Sequence, residues 1–351
     1  MKSVNENFNV KEYHGILCND YPDFLEEYTS LPVMQRLGGV GLLCGTDWTP
    51  LFNNRFFYTR LDHSIGAALI VWNFTHDKKQ TLAALFHDIA TPAFSHVTDF
   101  RNGDALKQES TERLTAEIIN ENALLKALLL KQGIYNHEVD DYHKYPIADN
   151  EIPGLSADRL EYMYPSGAAL CGEWSVPEIR DNYGNICVLE NERGEPELGF
   201  ADLEAAVTYL KKFCNISMLL QRNEDKIAMQ LLADILSCAI KCGYADEADF
   251  FNLPEKELIA RFDVCARMNS ESEFARLFKT FRSMKKIERS KFPIENAFCV
   301  NLEVKKRYVD PLVKLSDGKC QRASSLSREA SECIMGFVNF KDSDFGCVRF
   351  V

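Results

Sequence analysis

The run TLAALFHDIA, residues 81–90, ends an apolar segment with an imidazole and a carboxylate side by side. An ionised carboxylate taken out of water without a partner costs about several kcal/mol. A fold that buries this segment must therefore supply hydrogen bonds or a cation. Two more ionisable residues sit in similar company, His63 at the start of DHSIGAALIVW and Asp158 at the start of DRLEYMY. Two helices packed antiparallel bring the start of one beside the end of the other, and Asp158 reaches in from a third. His63, His87, Asp88 and Asp158 thus read as one metal site. Mixed imidazole and carboxylate donors suit one divalent ion, Mn, Fe, Ni, Zn or Mg, with positions left open for water.

Periodicity makes the chain mainly α. Ile65, Leu69 and Trp72 recur at helical spacing after a cap at Asp62 or Ser64, and residues 80–89 form a second helix stopped by Pro92. Further helices are expected over 109–131, from Asp158 to Pro165, over 203–242, 255–262 and 271–286. Two β-like runs flank a charged Gly-Pro turn within 184–200, which predicts a hairpin or arm and a candidate partner contact at 190–197. The glycine-rich run from Gln35 to Gly45 lacks the GK[ST] ending of a phosphate loop, so its glycines read as turn and close-packing residues. The expected organisation is a helical domain over 1–265, with its core at about 35–243, and a helical and β appendage over 266–351.

A net charge of −12 opposes binding to a long nucleic acid, which depends on neutralising phosphates. A small anionic substrate in a locally positive pocket is compatible with it. No apolar run approaches the roughly 18–20 residues that span a bilayer, and the start MKSVNENFNVKEY lacks the apolar centre of a secretory signal, so a cytoplasmic location without membrane contact is expected. The twelve cysteines are scattered without any CxxC and are expected to be reduced thiols, the closest pair being Cys238 and Cys242. His14, His76, His137 and His143 are expected to be core or interface residues with satisfied hydrogen bonds.

The ordered motifs TRLDHSIG, LFHDIA, PAFSH and ADRLEY, with QRL before them, resemble the HD-domain phosphohydrolases, within them the deoxynucleoside triphosphate triphosphohydrolase (dGTPase-like) branch. The likeness covers about residues 10–240, with an echo at KKRYVDPLV. It implies an HD-domain helical bundle, metal ligation by His63, His87, Asp88 and Asp158, and a homo-oligomer. It also implies a catalytic pair at His96 and Asp99, and nucleotide contacts at Arg60, Arg159 and Tyr162. A turn after Pro92 returns His96 to the metal, and Asp99 orients its imidazole as a general acid or base.

The chain departs from that pattern in three places. Thr91 stands where a histidine near the phosphates is expected. No histidine follows on the next helix, where Lys107 to Glu112 lie and Glu109 or Glu112 is a candidate proton carrier. The glutamine that tests the ribose falls on Leu42 in one register and near Gln35 or Arg36 in another, with Gln35 retained as a substrate-contact candidate. A basic stretch from Arg276 to Lys291 reads as a solvated helix face, with an effector-phosphate site as the alternative. The expected activity is metal-dependent hydrolysis of a nucleotide, with a (deoxy)nucleoside triphosphate as the leading substrate. A phosphomonoesterase or phosphodiesterase on a smaller nucleotide and a catalytically decayed nucleotide sensor are the alternatives.

Overall fold

A computed structural model describes residues 8–106 and 113–351, so the Glu109 and Glu112 candidates lie outside the described residues. The architecture is mainly α with a minor β part, as expected. Two antiparallel helices, Arg60–Thr75 and Lys78–Phe86, form its centre. The first is capped by Thr59 in a capping box with Asp62, one turn earlier than the sequence suggests. A left-handed His76 ends it, and the Asp77 side chain accepts from the backbone of Lys79 and Gln80 to start the second.

Helix Ala157–Leu170 packs on Arg60–Thr75 and runs straight through Pro165, where the sequence suggested an end. A proline inside a helix leaves the carbonyl four residues earlier without its N–H partner. That carbonyl belongs to Glu161, and the Tyr13 hydroxyl donates to it at 3.3 Å. In the 109–131 stretch the described part is two helices, Arg113–Glu121 and Ala123–Lys131, because the Asn122 side chain caps the second by accepting from Leu125 N.

The predicted hairpin is present as β1 (Ile186–Glu190) and β2 (Pro196–Phe200), paired antiparallel. It is not a free arm. With β5 (Leu312–Lys314) and β6 (Cys320–Arg322) it makes a four-stranded sheet in the order β1-β2-β5-β6, and Arg322 pairs with Glu192 and Glu197 of the hairpin. Segment β3 (Glu288–Ser290), β4 (Ala297–Val300) and β7 (Phe345–Arg349) form a second sheet with β7 in the middle. Helix Asn223–Lys241 carries this second sheet, whereas helix Leu203–Gln221 packs on Arg328–Val338. The residues after 266 are therefore laid down in two places against the helical body.

Cys299 and Cys347 face each other in the β4–β7 register with Cα atoms 4.1 Å apart and are joined as a disulfide, which corrects the all-thiol expectation. The pair is 48 residues apart in sequence, so no local spacing announces it. The basic stretch is also accounted for internally. Arg276 lies over the Phe350 ring, Arg282 donates to the Trp48 carbonyl, and Arg289 joins Glu224 and Asp342.

Gly199 lets β2 and β5 meet: a Cβ there would stand 2.6 Å from the Leu312 carbonyl oxygen. Gly199→Ala should destabilise the protein by about 1–3 kcal/mol, the usual cost of overpacking, read from a lower denaturation midpoint. An unchanged midpoint would show that the two strands can separate freely.

Candidate metal centre

His63 occupies the first turn of its helix, so its ring leaves the capped end and meets the end of helix Lys78–Phe86. That second helix stops at Phe86 rather than at residue 89, and His87 and Asp88 lie in the turns beyond it. Arg36, from the QRL motif, donates to the carbonyls of Ile89 and Thr91 and so holds the turns in place. Asp158 enters from the first turn of Ala157–Leu170.

His63 Nε2 and His87 Nε2 are 3.1 Å apart. Asp158 Oδ1 is 3.1 Å from the first and 3.6 Å from the second, and Asp88 Oδ2 is 3.7 and 3.5 Å from them. The outer nitrogen of each ring is already assigned. His87 Nδ1 donates to the Ala84 carbonyl at 2.6 Å, which can only accept. His63 Nδ1 meets the Glu161 carboxylate. With those protons outward, both Nε2 lone pairs and two carboxylate oxygens aim at one point, an arrangement that repels itself unless a positive charge sits there. Without an ion the same surroundings draw a proton instead: burial opposes a charge on the His63 ring, yet Glu161 and Asp158 raise its pKa to about 10. Burial likewise opposes ionisation of Asp88, but Arg60, His87 and His63 hold its carboxyl well below the usual range. The His63–His87–Asp88 cluster therefore suits a divalent metal, with Asp158 beside it.

A second layer fixes these donors. Glu161 is fully buried and also accepts from the Tyr58 hydroxyl at 2.6 Å. A Cβ on Gly66 would fall 2.4 Å from Glu161 Oε1, so the glycine of HSIG is the space this carboxylate occupies. Thr91 donates to Asp88 Oδ1 at 2.7 Å while Arg60 donates to Oδ2 at 2.8 Å. Thr91 thus positions a metal-facing carboxylate instead of merely replacing a histidine. Neither Glu161 nor this role of Thr91 was identified in the sequence reading, although a glutamate inside LEYMY, beside apolar neighbours, was the available signal.

The cluster lines a cavity of about 530 Å³. His96 lines it too, at the end of a turn in which Phe94 and Ser95 both have positive φ, 66° and 52°. Non-glycine residues hold that conformation only when their surroundings enforce it. Here Glu255 accepts from Phe94 N at 3.0 Å, and Ser95 Oγ accepts from Arg60 Nε at 3.0 Å. Glu255 also takes Gly41 N and Trp48 Nε1, and burial pushes its pKa up to about 7. His96 Nδ1 donates to Asp99 Oδ2 at 2.9 Å, which frees Nε2. Burial lowers the His96 pKa against the opposing effect of Asp99.

The remaining predicted contacts divide. Tyr162 lines the cavity with its ring 6.5 Å from that of His63, and burial pushes its phenol up to about 12. Arg60 and Arg159 line it as well, but their guanidinium groups have internal partners. Arg159 donates to Asn150 Oδ1 and the Gly154 carbonyl, both at 2.7 Å, and pairs with Asp149 at 2.9 Å. Gln35 is not brought to the cavity; it is exposed and donates to the Thr29 carbonyl at 2.7 Å. His143, expected to be structural, lines the cavity and bonds Asp141 at 2.9 Å. Lys305 and Arg307 of KKRY also line it, and neither had been singled out.

No family model matches the chain. The uncharacterized protein YdhJ of Bacillus subtilis is 30% identical over 141 residues, 39% of this chain and 41% of that protein. The metal-dependent phosphohydrolase cns2 of Cordyceps militaris is 30% identical over 146 residues, again 39% and 41% of the two chains. The match thus spans about two fifths of these curated relatives. A phosphohydrolase from Bacteroides thetaiotaomicron superposes with a TM-score of 0.61 at 15% identity, over 94% of this chain and 96% of that one. A hypothetical protein from Aquifex aeolicus gives 0.62 at 16%, over 94% and 92%. Among the described residues no helix is long and apolar enough to cross a membrane.

Glu161→Gln should keep the fold and weaken metal binding about 10- to 100-fold, the usual cost of losing an outer partner of a ligating histidine. Metal titration by calorimetry, with circular dichroism as the control, reads it. Wild-type affinity in the variant would remove Glu161 from the site. The fold is thus that of the two solved structures, and about two fifths of the chain is similar to a metal-dependent phosphohydrolase.

Proposed function

We propose that the chain hydrolyses a phosphate ester of nucleotide size, using a divalent metal held by His63, His87, Asp88 and Asp158. The observation that carries this reading is the convergence of four acceptor atoms inside a cavity of about 530 Å³ that also holds the His96–Asp99 pair. That volume lies within the roughly 300–1,000 Å³ usual for small-molecule sites. A bound ion supplies Lewis-acid stabilisation of the phosphoryl oxygens and lowers the pKa of water. His96 offers a neutral Nε2 to accept a proton from the attacking water or return it to the leaving oxygen, while Asp99 keeps the ring oriented. Lys305 and Arg307 are the cavity cations suited to phosphate oxygens, and Tyr162 closes the metal side.

Phosphate number separates two readings, triphosphate release from a (deoxy)nucleoside triphosphate and orthophosphate release from a smaller nucleotide. Arg60 pairs with Asp88 and Arg159 with Asp149, so phosphate contacts fall to the other cations of the cavity in either reading. A nucleotide screen on metal-reconstituted protein, with products identified, tests both. Absence of any hydrolysis across Mn, Fe, Co, Ni and Mg would leave a nucleotide-binding module in place of an enzyme.

His96→Ala should lower kcat by roughly a hundred- to ten-thousandfold with metal content unchanged. Undiminished turnover would exclude His96 as the proton carrier. The pH profile carries a second outcome. Because the neutral imidazole is required and burial lowers its pKa from the ordinary 6.5, the acid limb of kcat/KM should lie below pH 6.5. Asp99 opposes that lowering, so Asp99→Asn should move the limb further down. A limb that stays in place would dissociate His96 from the acid titration.

A further inference from the structure

The strained turn before His96 is braced from outside the motifs that carry the metal donors. Ala93 N donates to the Phe250 carbonyl at 2.7 Å, and Phe94 N to Glu255 Oε1 at 3.0 Å, the latter across a sequence separation of 161. The short helix that follows His96, Val97–Arg101, is tied to the same segment. Arg101 pairs with Glu247 at 2.7 Å and lies 5.4 Å from the centre of the Phe250 ring. Residues 247–255 thus hold both sides of His96, although they lie beyond the 35–243 stretch expected to form the core.

Glu255 is the centre of this brace. It opens helix Glu255–Met268, is sealed from solvent and does not line the cavity. Its Oε1 takes Gly41 N at 2.9 Å as well as Phe94 N, while Oε2 takes Trp48 Nε1 at 2.6 Å. The Gly41 carbonyl accepts from Ser95 Oγ at 3.0 Å, so one carboxylate fixes Phe94 directly and Ser95 through Gly41. Hydrogen bonds to a carboxylate are stronger than those to a neutral acceptor. That is the support a phenylalanine and a serine in the left-handed region require. A relaxed turn carries the His96 ring out of its place, and a displacement of about 1 Å is enough to cost roughly a hundredfold in rate.

We propose that Glu255 is a positioning residue for His96, holding through Phe94 N and Gly41 the turn that presents the imidazole to the cavity. This rests on the phosphohydrolase reading above and adds to it a residue remote from the substrate. The test uses full-length manganese-loaded protein and the fastest hydrolysed of AMP, dAMP, ATP and dATP, at pH 8, where a carboxyl with its pKa raised to about 7 is ionised. Glu255→Met keeps volume without an acceptor, and Glu255→Asp keeps the charge but draws the oxygens back by one methylene. Both should lower kcat about ten- to a hundredfold with KM and metal content unchanged. On a His96→Ala background neither should cost further kcat. Both backbone N–H groups use one oxygen, so a carboxamide oxygen in that place serves them while its NH2 meets the indole donor. Glu255→Gln combined with Trp48→Phe, which removes that donor, should therefore keep kcat within about threefold of wild type. Amide exchange reads the turn without activity: in Glu255→Met and Glu255→Asp it should speed about tenfold over residues 93–99 and stay unchanged over 60–75. Wild-type kcat in folded Glu255→Met or Glu255→Asp, equal losses with and without His96, or a tenfold loss in the paired substitution overturns the proposal. A wild type that hydrolyses none of the four nucleotides overturns the phosphohydrolase reading instead, and exchange over 93–99 then decides whether Glu255 holds the turn.

Discussion

A dehydrated carboxylate, Glu161, organises the centre of this protein. It is sealed from solvent, so its charge has to be met by neighbours placed to meet it, and Tyr58 and His63 are those neighbours. Fixing the outer nitrogen of His63 decides which nitrogen faces inward. The Ala84 carbonyl does the same for His87. The glycine at position 66 leaves the volume the carboxylate fills, and the Tyr13 hydroxyl repairs the helix one turn before Pro165. The orientation of His63 and the close approach of its helix to Ala157–Leu170 thus go with one buried carboxylate being satisfied.

A second theme is the allocation of cations. Arg36 holds the turns that carry His87 and Asp88, Arg60 joins Asp88 to Ser95, and Arg159 ties down the loop at Asn150 and Gly154. Each arginine offers several donors in one plane and so can fasten irregular backbone that no helix would order. Their engagement leaves the cavity less positive than its composition suggests. The strained turn that presents His96 is held by one of the same arginines, Arg60, through Ser95.

Local patterns carried much of this architecture. The capped helix at 60–75, the turn after it, the hairpin at 186–200 and the long helices at 203–241 follow from periodicity and turn chemistry that nearby residues supply. Other features depend on partners far along the chain. Gln35 was placed by motif register, yet it points to Thr29 because its helix is only one turn long and its open face is outward. Cys299 and Cys347 meet through strand pairing, and the hairpin is enclosed by strands more than a hundred residues later. Such contacts leave no local signal, since they arise when distant segments lose water together.

Residue chemistry alone determined that His63, His87, Asp88 and Asp158 belong together, because burying such groups singly is too costly. Only the tertiary structure decided which atoms face inward and which arginines are occupied. The type of a side chain sets what it must satisfy; distance and dehydration decide what is there to satisfy it.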